Sequence, residues 1–454
     1  VMLISGAPHP EGGSGSYTEV TVSGFERSLN TVSNDDGSNE RSESDSHAMT
    51  ILRNLLVLLV LGTTAACATS TQLYTPGPST LGAEPVSDFD RYVESAKAYV
   101  DTNLVPVEGF DREQQVLWNL PYRMKPAANC SSGDRTGLLL IHGLSDSPFV
   151  FRDLARYLAD ECIEVRTLLL QGHGTRPGDM VTASADVWRE QVRNHFVALS
   201  KEVDLAFIGG FSLGGALATD YALSETGPRP AGLVAVAPAW QLNGLRDYLW
   251  LAPIADVFGD FVEKEPELNP VKYESFSFNA GSQIGDVISS AQGRIVQQEN
   301  IDMPLFLAAT EADSVINLDY LVTQFRERFR QPGNAMMIFR DTRSPWPDAQ
   351  ADGRIRFMNS YLPDANILEF SHQSLLISPD NELYGLVAPL QRCLEPNNIS
   401  LEGCRLPEQD LWFSAWHDTE RSVYTSRLTY NPWFDDLAEA IGAFIHTHAS
   451  AEGP

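Results

Sequence analysis

The stretch from Asp204 to Leu223, DLAFIGGFSLGGALATDYAL, constrains this chain more than any other. An apolar run ends in glycines, one serine stands among them, and an alanine-rich run follows. Glycine loses more backbone entropy on folding than any other residue. Gly209, Gly210, Gly214 and Gly215, clustered within seven residues, therefore mark a tight geometric demand. Gly210-Phe211-Ser212-Leu213-Gly214 fits G-x-S-x-G, with a strand-like run before it and a helix-like run after it. In that setting a sharp turn lifts the serine hydroxyl above the C-terminal edge of a sheet, and side chains larger than glycine would collide with the strand and helix. Ser212 is thus a candidate nucleophile. A small-residue packing turn is the alternative.

The surrounding pattern agrees with a strand–turn–helix. TGLLLIH is a continuous apolar run suited to a strand buried on both faces. FVFRDLARYLADE has helical period, Cys162–Leu170 reads as a strand, Ala183–Leu199 as a helix and AGLVAVAPA as a strand. The alternation resumes with MPLFLAATEADSV and a helix near Leu318–Arg328. It predicts an α/β fold: an open, mostly parallel sheet with helices on both faces. Two stretches interrupt it, 240–300, rich in aromatics and leucine, and 331–364, which reads as an insertion before the strand-like NILEF. A final helix is expected over Pro432–His446 and an N-terminal one over Phe89–Val100.

A serine nucleophile needs a base and an orienting acid. Of nine histidines, His9 and His47 lie far upstream, His142, His173 and His195 precede the serine, and His446 and His448 end the last helix. His372, just past NILEF, is the favoured base, with His417 in FSAWHDTE as the other possibility. PLFLAAT ends in Glu311-Ala312-Asp313, which makes Asp313 the expected acid and Glu311 the fallback. His142-Gly143-Leu144 follows a strand, so the backbone N–H groups of Leu144 and Leu213 are candidates for an oxyanion hole. Read only structurally, HGLSDSP is a strand-to-helix turn.

IHGLSDSP, QGHGTRPGDM, Asp186-Val187-Trp188 and GFSLGG resemble, in order and spacing, the corresponding segments of α/β-hydrolases. The chain is similar in particular to the group of bacterial carboxylesterases, monoacylglycerol lipases and serine aminopeptidases. The resemblance implies an eight-stranded, mostly parallel sheet with a cap inserted between the sixth and seventh strands, where residues 240–300 fall. It also implies a carboxylic ester hydrolase working through Ser212, Asp313 and His372. Trp240, Leu249 and Trp250 are the cap residues expected at the acyl group, with cap core packing as the equal alternative. A peptidase or amidase on the same scaffold, or a non-catalytic binding module, are the rival functions.

The ends and the charge bound the setting. Residues 1–48 are polar and read as disordered, upstream of the true start. Met49–Cys67 carries one positive charge, an apolar stretch and small residues before a cysteine, as a signal peptide does. Its ending Thr64-Ala65-Ala66-Cys67 resembles a bacterial lipobox, which implies lipid attachment at Cys67 and an exported, envelope-anchored protein. Residues 68–87, rich in Pro, Gly, Ser and Thr, read as a linker, leaving 88–454 as the folded domain. The four remaining cysteines are expected to pair as Cys130–Cys162 and Cys393–Cys404 in an exported chain. A net charge of −28 with 32 Lys and Arg argues against nucleic acid as a partner. Without an HExxH motif or clustered Cys/His spacing, no metal or other cofactor is expected. The partner expected instead is a small-molecule or lipid-like ester.

Overall fold

The computed structural model describes residues 72–130, 135–244, 259–346, 352–407, 409–416, 418–419 and 421–451. Eight strands form the central sheet: β1 Arg123–Met124, β2 Thr136–Ile141, β3 Ile163–Leu168, β4 Leu205–Phe211, β5 Leu233–Val236, β8 Leu305–Thr310, β9 Ala335–Arg340 and β10 Ile355–Asn359. Between β5 and β8 lie β6, Phe261–Glu263, and β7, Phe276–Ser277, which pair with each other. β11, Leu411–Ser414, and β12, Tyr424–Arg427, form a second small pair.

The sheet order is β1-β3-β2-β4-β5-β8-β9-β10, and only the short edge strand β1 runs antiparallel to its neighbour. From β2 the chain first builds outward to β3, then crosses back to β4 and continues in the opposite direction. A crevice therefore opens at the carboxyl ends of β2 and β4, the place where open α/β sheets bind ligands. Every residue of β2, β5 and β8 is buried, the consequence of helices on both faces. The buried side chains of these strands and of the helices covering them form one continuous core.

Several expected elements come out differently. The stretch 331–364, expected as an insertion, contains β9 and β10, which complete the sheet. NILEF, in turn, is not a strand. It makes only isolated bridges, Leu362 with Ile367 and Ile367 with Phe413. The sheet edge expected of it is occupied by β10. Within 240–300, Phe278–Gln297 forms a 20-residue helix. Ile284, Val287, Ile288, Ala291 and Ile295 supply its buried stripe, at the spacing of one helical face.

The linker also changes character. From Gln72 onward it is laid down on the folded body. Asn103 donates to the Ser79 carbonyl at 2.6 Å, Asn194 to Ala83 at 2.7 Å and Gln191 to Gly82 at 3.1 Å. Gly77 N–H donates to Asp179 at 2.5 Å, and Arg176 to the Gln72 carbonyl at 3.2 Å. Leu81 is buried in a small cluster with Tyr99, Val100, Val116, Leu120 and Leu169. Both expected disulfides, Cys130–Cys162 and Cys393–Cys404, are present. Cys67, Leu249, Trp250 and His417 lie outside the described residues.

Candidate active site

Ser212 sits at the turn between β4 and the helix Leu213–Ala222, with φ 52° and ψ −116°. A non-glycine residue in that region is strained by about 1–3 kcal/mol, and the surroundings hold it there. Its N–H donates to the Val236 carbonyl at 3.1 Å, and its carbonyl accepts from Ala239 at 2.9 Å. The flanking glycines make the turn possible. A Cβ on Gly214 would stand 1.8 Å from the Ile141 carbonyl oxygen, and one on Gly210 would stand 2.3 Å from the Gly214 carbonyl carbon. The helix N-terminus is thus pressed against the end of β2.

The loop leaving β2 lies against the serine. A Cβ on Gly143 would be 3.5 Å from the Ser212 Cβ and 3.1 Å from the Phe211 ring. His142 pins this loop from below. Its Nε2 accepts from Leu170 N–H at 3.1 Å, which leaves the proton on Nδ1 to donate to the Gly143 carbonyl at 2.9 Å. Burial, with His173 beside it, holds the His142 pKa well below the usual imidazole range. From the other side, Tyr273 N–H donates to the Ser145 carbonyl at 2.8 Å. Leu144 and Leu213 each follow immediately on a residue fixed in this way, Gly143 and Ser212.

The structure brings Asp313 and His372 together. His372 Nδ1 lies 2.7 Å from Asp313 Oδ2, and both side chains are almost entirely buried. Asp313 Oδ1 accepts from the N–H groups of Val315 and Ile316, each at 2.8 Å, so the carboxylate is oriented through both oxygens. The His372 ring packs on Phe211, the residue before Ser212, with centroids 4.7 Å apart. Ser371 anchors the approach, donating its hydroxyl to the Leu428 carbonyl at 2.6 Å while capping the short 3-10 helix His372–Leu376. Glu311, the fallback acid, instead faces Arg340 at 3.5 Å and accepts from Asp341 N–H.

Trp240 corrects the expectation of a cap residue at the substrate. It is fully buried, its indole N–H donates to Thr219 at 2.8 Å, and its ring stacks on Phe329 at 5.7 Å. It is core. Sequence reasoning also missed how the helix Phe278–Gln297 is tied to its neighbours. Asp220, buried in the helix that follows Ser212, receives Ser290 and Arg294 from the helix Phe278–Gln297 and Arg189 from Ala185–Ser200. Asn279 adds two bonds of 2.8 Å to the carbonyls of Met180 and Ala183. Nothing in a local window identifies such pairs, because the partners are 31 or more residues apart.

Comparison with known proteins adds an independent observation. A family model described as "Serine aminopeptidase, S33" matches residues 134–279, a span holding the β2 loop and the serine turn. The fold is that of the α/β-hydrolases. Within that fold, the chain is 25% identical over 229 residues to the thermostable monoacylglycerol lipase of Bacillus sp. (strain H-257), covering 50% of this chain and 82% of that one. Among solved structures it is similar to the Paleococcus ferrophilus monoacylglycerol lipase, with 15% identity and TM-score 0.44 over 72% of this chain and 98% of that one. It is also similar to a soluble variant of the Saccharomyces cerevisiae monoglyceride lipase, with 16% identity and TM-score 0.39 over 52% of this chain and 85% of that one. The family match stops before Asp313 and His372, so those two residues rest on the geometry above.

Proposed function

We propose that this α/β-hydrolase cleaves carboxylic esters through an acyl-enzyme on Ser212. The observation that carries the reading is the buried Asp313–His372 pair, held against the residue preceding a serine in a strained turn. With Nδ1 committed to Asp313, Nε2 is the ring nitrogen that exchanges a proton. It takes the Ser212 proton as Oγ attacks the ester carbonyl carbon, while the N–H groups of Leu144 and Leu213 hold the oxygen that becomes negative. Collapse breaks the bond to the alcohol oxygen, which receives the proton from His372. Water then repeats the sequence on the acyl-enzyme and releases the carboxylic acid. The monoacylglycerol lipase of Bacillus sp. supports esters over amides as the substrate class.

A fluorophosphonate probe tests the reading directly. It should label the wild-type protein on the peptide holding Ser212, and 4-nitrophenyl butyrate should be hydrolysed and protect against labelling. Absence of both would leave the fold without this chemistry.

The lipobox-like Thr64-Ala65-Ala66-Cys67 supports a second proposal, that the protein is exported and anchored to the bacterial envelope by a lipid on Cys67. Two chains of fatty acid bind a membrane stably where one does not. Expressed in a bacterium, the wild-type protein should fractionate with membranes, and Cys67→Ala should move most of the esterase into the soluble fraction. Equal partitioning of the two would remove the anchor.

A further inference from the structure

The loop that presents Leu144 is a turn under conformational strain. Asp146 N–H closes it on the Gly143 carbonyl at 3.3 Å, and Ser145, with φ 64°, stands at the left-handed position where glycine is usual. A serine persists there only when the surroundings hold it. Tyr273, from the segment between β6 and β7, supplies a bond from outside the turn: its N–H donates to the Ser145 carbonyl at 2.8 Å.

Peptide planarity carries that bond to the oxyanion site. The Ser145 carbonyl and the Asp146 N–H are opposite edges of one peptide group. The Gly143 carbonyl and the Leu144 N–H are opposite edges of another. Tyr273 fixes the first group, and the bond from Asp146 to Gly143 fixes the second to it. The direction of the Leu144 N–H follows.

Tyr273 is itself fastened through its buried side chain. Its hydroxyl accepts from Thr175 N–H at 2.7 Å and donates to the Gly172 carbonyl at 3.1 Å. Its ring lies nearly parallel to that of His173, which meets the His142 ring edge-on. Thr175 continues the connection, donating its hydroxyl to Asp179 Oδ2 at 2.6 Å. The same oxygen receives Asn103 at 3.0 Å and Tyr99 at 3.3 Å, both from the helix Phe89–Asn103. Asp179 Oδ1 receives Gly77 N–H, and an added side chain on Gly178 would run into the Thr75 carbonyl. Asp179 therefore joins the docked N-terminal segment to the residue that grips the turn.

We propose that Tyr273 is a positioning residue for the oxyanion step, held in place by Asp179 through Thr175, with Gly77 tied to the same carboxylate. The proposal rests on the ester-hydrolase reading, in which the Leu144 N–H faces the developing oxyanion. It extends the support of the site to a segment that precedes every strand of the sheet.

Tyr273→Phe keeps the ring and the main-chain bond and removes the hydroxyl. On 4-nitrophenyl butyrate it should lower kcat about tenfold with KM changed less than about twofold, the effect of displacing an oxyanion donor without deleting it. Thr175→Val should act in the same direction, and Thr175→Ser, which keeps the hydroxyl, should restore most of the loss. Two inhibitors separate positioning from damage to the fold. The carbonyl carbon of 1,1,1-trifluorohexan-2-one takes the Ser212 oxygen, the serine proton goes to His372, and the ketone oxygen becomes an oxyanion in the hole. Hexan-2-one binds as the neutral ketone. In Tyr273→Phe the Ki of the trifluoro ketone should rise about tenfold, in step with the fall in kcat/KM, and that of hexan-2-one should stay constant. Partial unfolding lowers the amount of active enzyme and moves neither Ki. Unchanged kcat, or a trifluoro ketone Ki that does not follow kcat/KM, overturns the proposal. If the variants do not fold, hydrogen exchange of the wild type decides: the Asp146, Thr175 and Tyr273 amides should lose protection together as urea is raised, and separate opening overturns the proposal. Failure of the wild type to cleave any ester would remove the hydrolase reading alone. Positioning would then be read from the Asp146 amide, which should exchange about tenfold faster in Tyr273→Phe than in the wild type, and an unchanged rate would overturn it.

Discussion

Ser212→Ala should reduce kcat on a neutral 4-nitrophenyl ester by about 10⁵-fold or more while the protein keeps its melting temperature. The hydroxyl is the atom that becomes acylated, and its removal leaves only the oxyanion donors to lower the barrier. Fold stability should be untouched or slightly raised, because the side chain makes no hydrogen bond that holds the turn. Those bonds come from the backbone, through Val236 and Ala239. His372→Ala should fall by a similar factor. Combined with Ser212→Ala it should cost little more, since the two act as one unit. Asp313→Asn should cost about 10⁴-fold, because an amide facing Nδ1 favours the wrong imidazole tautomer. Stopped assays with acyl-enzyme trapping would separate these effects. Retention of more than a hundredth of wild-type kcat in Ser212→Ala would move the nucleophile elsewhere.

The second large effect is on folding. Gly214→Ala should cost about 4 kcal/mol or more, or prevent soluble expression, by forcing a methyl against the Ile141 carbonyl oxygen at 1.8 Å. Both partners are backbone in the centre of the fold, so no side-chain rotation relieves the contact. Movement would have to separate the helix Leu213–Ala222 from β2. Gly293→Ala provides the contrast. That glycine lies within the helix Phe278–Gln297 with nothing within 4 Å of an added Cβ, so alanine should stabilise by about 0.5–1 kcal/mol. Urea melts of the two variants beside the wild type would read both signs. Similar losses for both would mean that the close approach at the turn is not what sets the cost at Gly214.

The serine turn was legible in sequence because backbone approach leaves a compositional trace. Only glycine survives at 210 and 214, and the pattern shows it. Asp313 and His372 were legible because each closely follows an apolar run, although the run before His372 misled in detail. NILEF has the alternation of a strand, but edge pairing is decided by what else competes for the sheet. β9 and β10 were harder to see: AMMIFR and IRFMN are short, each carries arginine, and they stand well apart in the sequence. The helix Phe278–Gln297 hid behind poor formers, with glycine at 281, 285 and 293 and serine at 282, 289 and 290. Its buried stripe against the body compensates for weak propensity. Trp240 was misplaced because an aromatic residue after the last regular strand looks the same in sequence whether it turns outward to a ligand or inward to Phe329. A cavity beside the serine had no local signature, since its walls come from segments scattered between Asp146 and Thr429.

The docked segment beginning at Gln72 sets a distance. Only residues 68–71 separate Cys67 from the first residue held by Arg176, and at about 3.5 Å per residue the chain can span no more than about 18 Å between them. A lipid on Cys67 would therefore keep the catalytic body within its own radius of the bilayer, with the face around Gln72, Tyr74 and Arg176 turned toward it. Such an enzyme would not sample the volume of its compartment. It would sample a thin layer next to the headgroups, where the supply of substrate is set by what gathers at that surface.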